Sequence, residues 1–308
     1  MVFVHTLGQA LIEAGTSRVT PGSVRKFALL LYLSAEPGRR TPRSVLRDLI
    51  FPEATEKNAR HSLREMAYQL RRAGVTIDSD DDGIALRNDA VKTDYVELLA
   101  RDQFGIQDLS AIEGGFLPGY SPTHSEAFCE WLDGYRARAT FKVCQGVLIQ
   151  ISRATERGDW GTTERAARAC LALDPLNEKA TFAIARMLAV SGARVEAVRV
   201  LDKFEQDLGD CSDQLNLPVR KLRRRICERL PDVNRPLVQL PFVGREREMV
   251  AMNRRFGLAK DGQPQCVTLI GEAGIGKSRL TQEFSSLCAL DGVRVESVAA
   301  QPSFISGG

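Results

Sequence analysis

The sequence predicts a multidomain, mainly helical protein, in which a small α/β domain is followed by an all-helical, repeat-like domain and a partial α/β unit. Short strand-like and helix-like segments alternate over residues 1–92, helical periodicity dominates residues 93–232, and a glycine-rich loop opens a helix within residues 233–308. At roughly 100–200 residues per domain, a chain of 308 residues has room for two or three such units.

The chain begins with a predicted strand pair and a helix. Residues 2–6 and 10–13 are short apolar or alternating runs separated by Gly8, a pattern typical of two paired strands. Apolar residues then recur at helical spacing over residues 24–33, and Pro37 follows shortly afterwards. We therefore expect the first helix to end just before Pro37.

Two further helices are predicted from their start and stop signals. Thr41 is placed as an N-cap with Pro42 as the first helical residue, and this second helix should stop before Pro52. Thr55 is placed as the cap of a third helix that Gly74 ends.

The third predicted helix, residues 55–73, separates apolar from charged residues. At 100° per residue the stripe that should face the core consists of Ala59, Leu63, Met66 and Leu70. From residue 39 to residue 72 the chain holds nine Lys or Arg against four Asp or Glu. A solvated charged face is the alternative interpretation, but a helix in this position, behind a shorter helix and before a hairpin, is typical of helices that enter the DNA major groove.

We predict that this helix and the start of the preceding one contact duplex DNA. Arg64 is suited to guanine edges, and His61 or Asn58 to other base edges. The residues suited to phosphate are Arg43, Arg71 and Arg72. The full predicted contact set is Arg43, Lys57, Asn58, His61, Arg64, Tyr68, Arg71 and Arg72.

A β-hairpin with an acidic tip is predicted after the third helix. Residues 75–77 and 84–86 flank the sequence Asp-Ser-Asp-Asp-Asp-Gly at residues 78–83. With Asp89 at the twelfth place, this stretch also resembles a calcium-binding loop, although such loops end in Glu and lie between helices. A solvated hairpin tip is the favoured interpretation, and its carboxylates would repel DNA phosphate.

Residues 94–230 show an almost wholly helical pattern with a weak internal repeat. Gly158 and Gly192 each stand before an amphipathic segment and are 34 residues apart, the period of helix–turn–helix solenoid repeats. The matching positions are Ala166 with Val200 and Cys170 with Phe204. A basic run over residues 220–229 favours a solvated helix face, with a phosphate-binding strip as the alternative. Residues 231–241 are proline-rich and indicate a linker.

The C-terminal segment carries the most specific motif. It fits G-x-x-x-x-G-K-[ST] after a predicted strand at residues 266–270 and before a predicted helix at 279–289, with a second strand at 293–299. The predicted nucleotide-binding residues are Gly271, Glu272, Ala273, Gly274, Ile275, Gly276, Lys277 and Ser278. Lys277 should reach the β- and γ-phosphates of ATP, and Ser278 should hold Mg²⁺ when nucleotide binds.

Hydrolysis of ATP is not expected from this sequence. Only 30 residues follow Ser278, and no apolar strand ending in Asp appears among them to complete Mg²⁺ binding or to orient water. We therefore expect an incomplete NTPase module, neither a working enzyme nor the holder of a permanent metal.

Composition excludes several other classes. The seven cysteines are scattered without a C-x-x-C pair, and the three histidines are far apart, so neither a disulfide framework nor a zinc site is expected. No apolar run approaches the ~20 residues that span a bilayer, which predicts a cytoplasmic protein without a membrane partner. Aromatic residues make up 6%, few for single-stranded nucleic acid binding.

Together these segments resemble known bacterial regulators. The N-terminal order resembles the winged helix-turn-helix of SARP-type regulators. Residues 116–120, 126–132 and 173–178 resemble the bacterial transcriptional activator domain, a TPR-like helical module. Residues 242–248 with the glycine-rich loop resemble the start of the AAA-like ATPase domain of STAND-type regulators.

This resemblance implies promoter DNA binding through the third helix, RNA polymerase as a partner, and binding as a dimer or at tandem sites. The acidic hairpin and the short ATPase segment depart from the pattern. A transcription regulator is thus favoured over two alternatives, a nucleotide-binding signalling protein and a helical scaffold without DNA binding.

Overall fold

The computed structural model describes residues 1–191, 193–209, 213–228 and 244–298 of the chain, with side chains from 217 onward in the third range. These residues fall into two compact units, Met1–Gln150 with Arg165–Asn177, and Ile151–Glu164 with the chain from Glu178 onward. Across the described ranges, no helix is long and apolar enough to cross a membrane.

The N-terminal elements follow one another closely. In chain order they are β1 (Val2–His5), β2 (Leu11–Ala14), β3 (Ser17–Val19), α1 (Val24–Ala35), β4 (Thr41–Pro42), α2 (Arg43–Ile50), α3 (Glu56–Arg72), β5 (Ile77–Ser79), β6 (Gly83–Leu86), a 3-10 turn (Asn88–Ala90) and β7 (Val91–Thr93). The remaining regular elements of the described chain are helices: α4 (Asp94–Leu99), α5 (Ile106–Glu113), α6 (Glu126–Arg157), α7 (Trp160–Leu173), α8 (Glu178–Val190), α9 (Arg194–Leu208), α10 (Asp213–Glu228), α11 (Glu246–Lys260) and α12 (Lys277–Leu290).

The first sheet confirms the predicted strand pair and extends it. Its order is β3-β2-β1-β7, with β1 antiparallel to β2 and parallel to β7. Alternation places Val2 and Val4 in the core. Asp94 ties the next helix to this sheet, because its carboxylate accepts the backbone N–H groups of Thr6, at 2.7 Å, and Leu7, at 2.9 Å. The boundary predicted between residues 92 and 93 lies within β7, and the division into domains stays a prediction.

The second sheet corrects the predicted start of the second helix. Thr41 and Pro42 form β4, and Thr41 pairs with Ile84 of β6 instead of capping a helix. Helix α2 begins at Arg43, and no side chain caps it. Pairing across a long loop overrides a local capping signal here, and the resulting sheet, in the order β4-β6-β5, holds the hairpin beside the helices.

An aromatic core in the first unit joins α1 to α6. The rings of Trp131 and Tyr135 stack with their centroids 5.4 Å apart, and Tyr32 of α1 lies 4.8 Å from Trp131. Phe128 is fully buried beside them. Helix α1 and the first long helix of the helical region are therefore packed together by one set of aromatic side chains.

The predicted repeat in the middle of the chain matches the spacing between the starts of two helices. Helix α7 begins at Trp160 and α9 at Arg194, thirty-four residues later. Cys170 and Phe204 are both buried as their matching positions require, whereas Val200 is only half-buried where Ala166 is buried. Gly192 and the linker at 231–241 lie outside the described residues.

The helices of the second unit share a core to which the C-terminal segment contributes. Ala185, Leu201 and Leu222 represent its contributions from α8, α9 and α10, and Ala289 and Leu290 of α12 are buried in the same cluster. Helix α12, which follows the glycine-rich loop, is therefore packed into the helical core of the second unit.

The two strands predicted around the glycine-rich loop do not form. In the described range 244–298, α11 and α12 are joined and followed by extended segments without a β-ladder. Ile270 is 93% exposed and Val298 is 95% exposed. The apolar runs indicated strands, but a parallel strand is normally buried on both faces, and these segments are not.

Candidate functional site

Helix α3 is mostly polar, and side chains stabilise both of its ends. The Thr55 hydroxyl accepts the backbone N–H of Asn58 at 3.4 Å, which confirms the predicted cap. Glu56 lies in the first turn, and Arg71 and Arg72 lie in the last. These charges complement the helix macrodipole at both ends.

A narrow stripe fixes the orientation of α3. Ala59, Leu63 and Leu70 are fully buried, as predicted. The prediction for Met66 was wrong, because Met66 is half-buried and Ala67 takes the core position. Spacing at 100° per residue places Met66 at least as close to this line as Ala67, so the packing of α3 against its neighbours, and not its own periodicity, puts Ala67 in the core.

The opposite side of α3 is open to solvent. Its exposed residues include every contact candidate that the sequence placed on this helix: Lys57, Asn58, His61, Arg64, Tyr68, Arg71 and Arg72. Tyr68 is 55% exposed, and the Arg72 guanidinium lies over its ring at 5.9 Å from the centroid. This surface has the solvent access that base contacts need, and those contacts stay a prediction.

Arg43 differs from the other candidates because it is half-buried against the β5–β6 hairpin. Its Nε donates to the Asp80 carbonyl at 2.7 Å, and its Nη2 donates to the Ser79 hydroxyl at 2.9 Å. Burial and next the positive charge of Arg64 lower the pKa of the Arg43 guanidinium. Arg71 also reaches this hairpin, since its Nη2 donates to the Ser79 carbonyl at 3.3 Å.

The hairpin tip is a turn with an internal role for Asp80. Asp80 Oδ1 accepts the backbone N–H groups of Asp82 and Gly83, each at 3.0 Å. Asp89, the twelfth position of the calcium alternative, instead accepts from Arg87 Nε at 2.9 Å. These two carboxylates serve separate local contacts, which favours the interpretation as a hairpin tip.

The glycine-rich loop has left-handed backbone where the motif places glycine. Gly274 has φ 81° and Gly276 has φ 97°, and α12 begins at the next residue, Lys277. The first backbone N–H groups of α12 have no partner within the helix, so its N-terminus is suited to an anion. Ser278 is exposed in this first turn.

Lys277 closes the loop on itself. Its Nζ donates to the carbonyls of Gly271 at 2.8 Å and Glu272 at 2.7 Å. These residues fit a phosphate group, because the lysine already lies over the loop and can exchange the carbonyls for phosphate oxygens. Lys277 and Ser278 are the residues that would hold the phosphates and Mg²⁺ of a bound nucleotide.

Arg245 supports the loop, a role that the sequence motif does not indicate. Its Nη2 donates to the Ile275 carbonyl at 2.8 Å, and its Nη1 binds Glu248 at 2.8 Å. That hydrogen bond holds the pKa of the Glu248 carboxyl below its ordinary value. Arg245 belongs to the segment at 242–248 that resembles the start of an ATPase domain, and residues 242 and 243 of that segment lie outside the described range.

Several arginines of the basic run on α10 form ion pairs or hydrogen bonds within the second unit. Arg223 pairs with Glu205 of α9 at 2.6 Å, and Arg220 lies 3.4 Å from the same carboxylate. Arg225 donates to the Leu290 carbonyl at 3.0 Å. These contacts favour a structural interpretation of the run over a phosphate strip, and Arg229 lies outside the described residues.

Comparison with known proteins agrees with this architecture, a mainly helical multidomain fold with small N-terminal sheets. The family described as AAA ATPase domain matches residues 241–304. A solved structure, Mycobacterium tuberculosis EmbR in complex with a low affinity phosphopeptide, is similar with a TM-score of 0.51 and 15% sequence identity. The similarity covers 84% of this chain and 71% of that chain. No curated protein matches the sequence.

Proposed function

We propose that this chain is a transcription regulator that activates genes by binding promoter duplex DNA through α3. The observation that carries the proposal is the exposed basic face of α3, held in a fixed orientation by its buried stripe. The major groove admits an α-helix, and each base pair there presents a distinct pattern of donors and acceptors. Arg64 and His61 lie on the face that such docking would present to base edges.

The shared fold with EmbR supports a multidomain regulator but transfers no ligand. At 15% identity the similarity concerns the fold, and the phosphopeptide belongs to EmbR. RNA polymerase as a partner and a homodimer as the binding form follow from the resemblance to SARP-type regulators, and they are part of this proposal. Sedimentation of the whole chain with and without duplex DNA tests the homodimer.

We further infer that the glycine-rich loop binds ATP with Mg²⁺ and that the 308-residue chain does not turn it over. The match to an AAA ATPase domain and the loop geometry support nucleotide binding. The absence of a β-ladder beneath the loop in the described range supports binding without hydrolysis, because catalysis requires groups positioned by a sheet.

Selection of bound sequences from random duplex DNA tests the proposed function. We expect enrichment of a defined site, and binding to this site should weaken with salt because cationic side chains displace counterions from phosphate. Nucleotide binding without enrichment of any duplex would favour the signalling alternative. Binding of neither would favour the helical scaffold.

A further inference from the structure

A cleft rich in arginine lies between α2, α3 and the tip of the hairpin. It has a volume of about 380 Å³, and the charged side chains that line it are Arg43, Arg47, Arg60, Arg64, Glu56, Asp81 and Asp82. At ≈ 30 Å³ per liquid water, the space corresponds to roughly a dozen water molecules, ample for a phosphate group. Arginine presents a planar fork of donors that matches the oxygens of phosphate.

The arginines of this cleft are not equally satisfied. Arg47 and Arg60 each have a carboxylate on their own helix, Asp48 at 2.8 Å and Glu56 at 2.6 Å. Arg43 is held by neutral oxygens of the hairpin, and its Nη1 is buried without a hydrogen-bond partner among the described residues. Arg43, which lines the cleft, therefore keeps one guanidinium nitrogen without an acceptor among the described residues.

Asp81 faces Arg64 at a long distance. Its Oδ1 lies 3.8 Å from Arg64 Nη2, and its side chain is 99% exposed. Charge-assisted hydrogen bonds are shorter, about 2.7–2.9 Å, and exposed ion pairs contribute little to stability. Arg64 can therefore exchange Asp81 for an anion that forms shorter hydrogen bonds. Asp80, in contrast, is part of the turn and cannot be removed without disturbing it.

We propose that this cleft is a site for a backbone phosphate of duplex DNA and that the carboxylates of Asp81 and Asp82 at its mouth compete with that phosphate. The proposal rests on the proposed DNA-binding function and adds a competitor built into the chain. The competition lowers affinity for any duplex equally, because phosphate carries no sequence information. Base contacts by α3 then decide which sites are bound tightly enough to displace the tip.

The test is to measure binding of a short, labelled duplex of random sequence by fluorescence anisotropy, using the full chain. Asp81→Asn removes the charge and keeps the size of the side chain. Asp89→Asn is the matched control, because it makes the same change of net charge at an exposed residue that does not line the cleft. We expect Asp81→Asn to lower the Kd by about 3- to 10-fold at low salt, with a smaller gain as salt is added, and Asp89→Asn to change it less than about twofold.

A second measurement tests whether the gain in affinity from Asp81→Asn depends on the arginines of the cleft. Arg60→Gln removes a cleft cation on the exposed side of α3, and it should weaken random-duplex binding and reduce the gain from Asp81→Asn when the two are combined. Thermal unfolding of each variant near the parent temperature confirms that the fold is intact.

The outcomes separate the inference from the function on which it rests. If the parent binds duplex DNA with a salt-dependent Kd and Asp81→Asn matches it within about twofold, the competing-tip inference is overturned while DNA binding stands. An equal gain from Asp89→Asn would also overturn the inference, because overall charge would explain it. If neither the parent nor any variant binds duplex DNA, the proposed function and the inference both fail.

Discussion

At the residue scale, Arg64 is the side chain that we predict to read a base. It is exposed at the middle of α3, and it approaches an acidic residue only at 3.8 Å, so its guanidinium is available to a guanine edge. We expect Arg64→Ala to cost about 1–3 kcal/mol of binding free energy for the selected site and to relax base preference at one position. Repeating the selection with the variant measures both effects.

Gln69→Ala is the control for Arg64→Ala. Gln69 is exposed on the same helix and is engaged with Glu65 at 3.0 Å, so its loss should leave the selected sequence unchanged. Selection of the same site with the same affinity by Arg64→Ala would show that α3 does not present Arg64 to a base.

Helix α3 shows which buried and exposed residues the sequence predicts and which it does not. The side chains that should be exposed are exposed, because a 3.6-residue period is a property of the helix alone. The exchange of Met66 for Ala67 in the core depends on which neighbouring element the helix approaches, and this is not encoded in local spacing. The support that Arg245 gives to the loop depends likewise on a contact between distant parts of the chain, at Ile275.

At the scale of elements, the C-terminal end of α12 is anchored within the second unit. Asp291 pairs with Arg186 at 3.0 Å and with Lys260 at 3.3 Å, and Arg225 binds the Leu290 carbonyl. Gly292 follows with φ 92°, and a Cβ at this position would lie 2.6 Å from Arg225 Nη2. Any side chain at Gly292 must therefore displace the guanidinium that holds the end of α12.

We expect Gly292→Ala to lower the free energy of unfolding by more than Gly262→Ala. Gly262 follows α11 with φ 84°, and a Cβ there would meet nothing within 4 Å, so its substitution costs only the left-handed backbone, about 1–2 kcal/mol. Gly292→Ala adds the displaced contact of Arg225, about 1 kcal/mol more. Denaturant unfolding of both variants measures the difference, and equal losses would show that the Arg225 contact contributes no stability.

Helices were predicted better than strands for a physical reason that particular elements show. The helices from α1 to α3 follow from local spacing and stop signals. Thr41 and Pro42 form a strand because Ile84 pairs with Thr41 from far along the chain. Residues 266–270 were predicted as a strand from an apolar run alone, and they form no ladder in the described structure. Strand formation depends on a partner that a single segment cannot specify.

At the scale of the whole molecule, the glycine-rich loop and the helical core are connected through one helix. The N-terminus of α12 carries Lys277 and the loop, while Ala289 and Leu290 at its other end are buried with α8, α9 and α10. A nucleotide at the loop would therefore bind to a helix that is already anchored. Phosphate binding needs only the loop, the lysine and the helix N-terminus, and all three are formed.

Turnover is the prediction that depends on the chain as a whole. We expect the purified 308-residue protein to bind a fluorescent ATP analogue in the presence of Mg²⁺ and to lose that binding in Lys277→Ala, because the Lys277 ammonium supplies the positive charge over the loop. We expect the parent to release phosphate no faster than Lys277→Ala does, since within residues 244–298 the segments beside the loop form no sheet that could position a second Mg²⁺ ligand or a water. Thr281→Ala, which alters a hydroxyl bonded to the Lys277 carbonyl at 3.0 Å, is the control for damage to α12 and should retain binding. Steady hydrolysis by the parent that Lys277→Ala abolishes would show that the loop works without such a sheet.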